Sequence, residues 1–308
     1  MINFPNDVIK YFENRLNSSK GDYLALFCEI QKKFSKKDFI KCLNHILSEK
    51  TDIKLLNLTI REINKNKYFD NFSCLVDFIV KPYGEEYANL KVLAIKTLGN
   101  YKNKKALNAL LFCLNDKKSN YKIRFAAAEA LGNIGDQNAF DSLEKVATDE
   151  EEKSTYVKES AVVALGMLGD KRALDVFNSI LNTKQMFQEK FSYLKESVLE
   201  AISKFDISKD KKAYEIIKKT LLDPSANVRI AALEALMNSN LKENKDLIYD
   251  RLKFDSDLEV KKNALVALYN LNYEGILKEV IEGDFEEELK TYAKEILEEY
   301  GEEGNGDD

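Results

Sequence analysis

Apolar and polar residues follow a helical period along almost the whole 308-residue chain, and one arrangement of them keeps returning. An aliphatic residue is followed by a basic one, a small or apolar residue stands at the fifth place, and apolar residues fill the eighth and ninth. Ile123, Arg124, Ala127, Ala130 and Leu131 set out the pattern, and Val157, Lys158, Ala161, Ala164 and Leu165 repeat it. Val228, Arg229, Ala232, Ala235 and Leu236 follow the same rule, as do Val260, Lys261, Ala264, Ala267 and Leu268. Looser copies start at Leu90, Leu194 and Leu289, and a faint one at Ile53. The eight starts are 37, 33, 34, 37, 34, 32 and 29 residues apart, a regularity that unrelated amphipathic helices would not keep.

Each copy predicts a helix with one apolar stripe, kept thin by alanine so that the next helix can come close. Gly99, Gly132 and Gly166 are expected to stop these helices at their C-terminal ends. Asp136 and Asp170 then stand where they would cap a second helix, whose stripe is Ala139, Phe140, Leu143 and Val146 in one copy and Ala173, Leu174, Phe177, Ile180 and Leu181 in the next. A helix pair this short cannot bury both faces alone and must lean on its neighbours. The expected fold is all-α, a right-handed α-α superhelix of about seven to nine helical hairpins. Residues 88–300 form the repeat array, residues 1–87 a divergent helical region or cap, and residues 301–308 a disordered acidic tail.

Composition sharpens this picture. Three prolines and twelve glycines are too few for a strand-rich or loop-rich protein, and 44% apolar with 32% charged residues describes a soluble globular chain. No apolar run approaches the roughly 20 residues that span a membrane, and the opening residues lack the pattern of a signal peptide, so a cytoplasmic location is expected. Cys28, Cys42, Cys74 and Cys113 are scattered and read as reduced core thiols. The net charge of −5 is uneven: Glu282 to Asp308 holds twelve acidic residues against two lysines, leaving residues 1–281 at +5.

The run from Ile123 through Ala130, Leu131, Gly132, Gly135 and Asp136 resembles the short HEAT repeat first described in phycobilisome lyases, and Val157 through Gly166, Gly169, Asp170 and Ala173 resembles it as closely. The resemblance covers about residues 88–300 and implies a scaffold. Enzymes of this architecture can be tested against the residues. Deoxyhypusine hydroxylase needs several His–Glu pairs for two irons, and His45 is the single histidine. HEAT-like alkylpurine DNA glycosylases need a strongly basic face with aromatic residues to cradle a duplex, and this chain is acidic overall without tryptophan. A phycobilin lyase would need bilin-handling residues, none of which stands out. No phosphate-cradling glycine loop, His-Glu-x-x-His or activated nucleophile is present in the sequence. The chain is thus expected to be non-catalytic, without cofactor or metal.

The basic residue at the second place would form a ladder, expected to pair with turn carboxylates such as Asp223 and Asp255. The third and seventh places project from the stripe, and there Phe125, Glu129, Glu159, Glu196, Glu200 and Glu234 would make a mildly acidic groove for a basic peptide or protein surface. Two repeats carry insertions: Asp149 to Thr155, expected as a solvated loop, and Asn182 to Tyr193, expected either as an extended helix packing inward or as a protrusion on which Met186 and Phe187 would anchor a partner. Lys32 to Lys41 interleaves lysine with phenylalanine, either as a turn with the rings inward or as a nucleic-acid contact. The expected function is a protein-binding scaffold or assembly factor, with a nucleic-acid-associated protein using the basic N-terminal half as alternative and a lyase or maturation factor as a third.

Overall fold

The computed structural model describes residues 7–18, 21–49, 52–183, 188–239, 244–273 and 275–301. Among them are eighteen α-helices and no strand. The chain divides into two compact units, Met1–Leu168 and Gly169–Asp308.

In the first unit, α1 (Asp7–Ser18), α3 (Lys36–Ser48), α5 (Phe72–Val80), α7 (Leu107–Asn115) and α9 (Phe140–Thr148) alternate with α2 (Tyr23–Lys33), α4 (Ile53–Asn66), α6 (Ala88–Tyr101), α8 (Tyr121–Ile134) and α10 (Thr155–Leu168). Like helices lie side by side: α4 on α6, α6 on α8, α8 on α10 in one row, and α3 on α5, α5 on α7, α7 on α9 in the other. The second unit continues the alternation with α11 (Ala173–Asn182), α13 (Lys211–Thr220), α15 (Lys245–Phe254) and α17 (Ile276–Glu282) against α12 (Gln188–Ile202), α14 (Ala226–Asn238), α16 (Leu258–Asn270) and α18 (Glu287–Gly301). The repeating stripe is the core: Ile123, Ala127, Ala130, Leu131, Val157, Ala161, Ala164 and Leu165 are all buried.

Two details differ from the sequence expectation. Gly99 and Gly132 do not end their helices. They lie buried inside α6 and α8, where a Cβ on Gly99 would stand 3.0 Å from the Ala130 Cα, and one on Gly132 would stand 2.9 Å from the Ala164 Cα. Gly166 is likewise buried within α10. The helices are ended by left-handed residues three places later, Lys102 (φ 50°) and Gly135 (φ 69°), with Gly169 (φ 66°) following α10. The first copy is also two residues out of phase: Ile53 is exposed, while Leu55, Thr59 and Ile63 are buried. The true start is therefore Leu55.

The basic ladder is structural. Arg124 donates from Nε to the Leu114 carbonyl at the end of α7 (2.9 Å) and from its terminal nitrogen to Glu152 in the turn before α10 (2.6 Å). Lys195 meets Asp223 (2.5 Å), Arg229 meets both oxygens of Asp255 (2.9 and 2.7 Å), and Lys261 meets Glu286. Each of these four cations reaches forward to the turn of the next repeat, rather than to the acid six residues before it. This also corrects the expectation for Asp149 to Thr155, because Glu152 in that loop keeps only 4% of its side chain exposed. Burial pushes the Glu152 carboxyl up, yet hydrogen bonds from Arg124 and the Ser154 amide, with the Arg124 charge, hold it below its usual range.

These contacts make two predictions. Gly132→Ala should lower stability by up to about 2 kcal/mol, because overpacking of about 1–3 kcal/mol is offset in part by a helix-propensity gain of about 1 kcal/mol; a raised unfolding midpoint would contradict the close approach. Glu152→Ala should cost about 3–5 kcal/mol by leaving Arg124 buried without its partner. Because the Glu152 pKa is depressed by folding, its contribution is complete above the unfolded value near about 4.3 and is lost as pH falls through the folded value. Urea titrations of the wild type and Glu152→Gln across that range should show a shallower acid loss in the variant.

Candidate functional site

Helices α6 and α8 are apolar on nearly all sides, since each touches a like helix on both flanks and the other row beneath, and α10 packs on α8 and α9. The third and seventh places form the strip where that burial relaxes. In the first unit it carries Val92 and Lys96 on α6, Phe125 and Glu129 on α8, and Glu159 and Val163 on α10, each half-buried except the exposed Lys96. Lys96 Nζ lies 3.4 Å from Glu129, so one of the acids is already partly neutralised by the neighbouring helix.

In the second unit the same places hold Glu196 and Glu200 on α12 and Ile230 and Glu234 on α14. Glu196 is half-buried. One of its oxygens, Oε1, is fully buried with no hydrogen-bond donor. Burial, opposed by a hydrogen bond from Ser192 and reinforced by the negative charge of Glu234, raises its pKa above the ordinary carboxylate value. Glu200 and Glu234 are exposed, and Glu200 reaches Lys204 on its own helix at 3.3 Å. The predicted acidic set is therefore two clusters: Phe125, Glu129 and Glu159 in one unit, Glu196, Glu200 and Glu234 in the other. Met186 and Phe187 lie outside the described residues.

The other candidates resolve as structure. His45 Nε2 lies 3.0 Å from Glu13, joining α3 to α1 at the surface. Lys32 to Lys41 is the turn between α2 and α3, with Phe39 buried, Phe34 packed 5.3 Å from the Tyr11 ring, and Lys33 3.9 Å above that ring. Cys42 and Cys113 are buried thiols whose pKa burial pushes up to about 12 and about 11, whereas Cys28 is exposed, contrary to the expectation of a core thiol.

A cleft of about 310 Å³ was not foreseen. It opens in the first unit beneath the loop before α6, lined by Pro82, Tyr83, Lys91, Phe112, Asp116 and Asn120 among others. Asn120 donates to Glu85, tying the loop to the turn before α8. Lys91 donates to the Lys81 carbonyl (2.6 Å), and burial lowers its pKa. Among the described residues, no group of three or more His, Cys, Asp or Glu side chains is gathered as a metal site would need.

Comparison with known proteins follows the geometry. Residues 77–154 match HEAT repeats, and residues 157–183 match the PBS lyase HEAT-like repeat. No curated protein matches the chain in sequence. Among solved structures, it is similar to the complex of CpcE and CpcF of phycocyanin lyase from Nostoc, at 24% identity over 74% of this chain and 87% of that one, TM-score 0.43. Human deoxyhypusine hydroxylase is similar at 15% identity over 85% and 96% of the two chains, TM-score 0.38. The Escherichia coli protein YibA is similar at 17% identity over 90% and 97%, TM-score 0.48. The chain is a helical-repeat protein built on HEAT repeats, with the PBS lyase HEAT-like repeat at α10 and α11.

Proposed function

We propose that this chain is a non-catalytic scaffold that binds a protein partner along the third-place and seventh-place strip. The observation that carries this is the state of Glu196. A half-buried carboxylate with a donorless oxygen, facing the like charge of Glu234, is unfavourable in the free protein. A lysine or arginine side chain from a partner, set beside the exposed Glu234 and the open side of the Glu196 carboxylate, would supply an opposite charge to the pair. Ile230, in the same strip on α14, would add desolvated contact beside the carboxylates, as interfaces generally combine the two.

Capture from the native organism with the full chain, followed by isothermal titration against the recovered protein, tests this. Glu196→Gln with Glu234→Gln, or Ile230→Ala, should weaken binding about tenfold or more, while Lys145→Ala on α9 should leave it unchanged. Binding should strengthen as pH rises through the elevated Glu196 pKa, and Glu196→Gln should flatten that rise. Equal affinity in all variants, or turnover of a metabolite by the pure protein without a partner, would defeat the proposal.

A further inference from the structure

The three successive turns that lead from α2 to α3, from α4 to α5 and from α6 to α7 lie along one edge of the first unit. Side chains join them. Lys36 stands 5.2 Å from the Tyr68 ring, the Tyr101 hydroxyl donates towards the Ile63 and Tyr68 carbonyls (3.3 Å each), and Phe69 packs 4.7 Å from the Tyr101 ring. This edge carries nine exposed lysines: Lys32, Lys33, Lys36 and Lys37 on the first turn, Lys65 and Lys67 on the second, and Lys102, Lys104 and Lys105 on the third.

Elsewhere in the unit Lys96, Lys117 and Arg124 meet carboxylates. On this edge only Lys104 reaches one, at 3.9 Å from Asp136. The backbone makes the contrast sharper. Lys67 (φ 51°) and Lys102 (φ 50°) occupy the left-handed position that ends α4 and α6, where Gly135 stands after α8. A lysine there carries Cβ strain that glycine avoids, so the second and third of these turns hold a cation in a position that folding alone would give to glycine.

Between Lys67 and Lys102 stands Phe69, 57% exposed, its ring resting on Tyr101. Beside it a groove of about 460 Å³ runs past Phe72, Val76, Asn103 and Lys105. Asn103 uses its side-chain oxygen to cap the Lys105 amide (3.0 Å) and keeps its NH2 group for a further acceptor. The acids of the region are fewer than its nine lysines: Asp77 lines the groove, Asp70 is exposed, Glu62 accepts from Gln31 and Asn66, Asp38 meets Lys41, Glu29 meets Arg15 and Asp136 faces Lys104, which leaves the edge positive.

We propose that this edge binds single-stranded nucleic acid, with phosphates running along the lysines and a base laid against Phe69. A row of point charges suits a flexible polyphosphate, and an exposed ring among them suits an unpaired base, which a duplex would keep stacked inside. This surface is separate from the strip that holds a protein partner, and either can fail without the other.

The test is fluorescence anisotropy of the full chain with labelled oligo(dT) and oligo(U) of about 20 nucleotides, from about 50 to about 200 mM salt. Affinity should fall with salt. The double variant Lys67→Gly, Lys102→Gly should bind on the order of tenfold more weakly and lose about 1.4 from the logarithmic salt slope, two phosphate contacts at about 0.7 each. Its thermal midpoint should hold or rise, because glycine relieves the left-handed strain, which separates lost binding from lost folding. Phe69→Ala should weaken binding about tenfold with the slope unchanged. Absence of binding at the lowest salt would overturn the proposal, and so would affinity unaffected by the double glycine variant. Displacement by polyglutamate as readily as by oligonucleotide, with no effect of Phe69→Ala, would assign the edge to an acidic polypeptide and overturn it equally.

Discussion

The close approach of like helices is the constraint from which the rest follows. Gly99 against Ala130 and Gly132 against Ala164 bring successive helices so near that a single added carbon would meet backbone. At that distance, neighbouring helices shield each other's flanks, and aliphatic residues fill the seam towards the second row. A helix so enclosed has little surface left for water. What remains is the third-place and seventh-place strip on one side and the turns at the ends.

The cations at the second place answer the problem that this packing creates. Tight helix pairs leave unsatisfied carbonyls at the ends of the second-row helices, such as Leu114 O, and Arg124 satisfies that one while holding Glu152 from the next turn. Arg229 does the same with the Asp223 and Pro224 carbonyls and the Asp255 carboxylate. Buried pairs of this kind contribute more to register than to net stability, since desolvation offsets most of their attraction. They fix how far each repeat slides on the next. A scaffold with fixed register presents its outward residues at fixed spacing, and recognition of a partner depends on that.

Much of the architecture was legible in the sequence because a repeat states its own geometry many times. Alanine at the fifth and eighth places announced close packing, and Asp136 and Asp170 announced helix starts, each accepting from a backbone amide as expected. The glycines were misread for a physical reason. Gly132 and Gly135 both stand near a helix end, and only the neighbouring helix decides which permits contact and which turns the chain. The phase of the first copy was missed because Lys54 imitates the second place, although Leu55 and Thr59 are the buried positions. Glu152 looked solvated because its partner lies 28 residues away. The lysine edge was legible only in part: the Lys32 to Lys41 cluster was visible as a local run, but its continuation through Lys67 and Lys102 requires knowing that three turns share an edge. The acidic positions were found individually, and their division between two units was not.

Cysteine accessibility tests the enclosed-helix account most directly. In a background with Cys28 and Cys74 replaced by serine, single cysteines would be placed at Phe125, Glu129 and Val163 on the strip and at Ala126, Ala127 and Ala130 in the stack, and their maleimide labelling rates measured on the folded chain. The account predicts rapid labelling at the first three and labelling at the last three only through unfolding. Comparable rates at all six positions would mean that α8 is not enclosed by its neighbours, and the strip would lose its standing as the face left open.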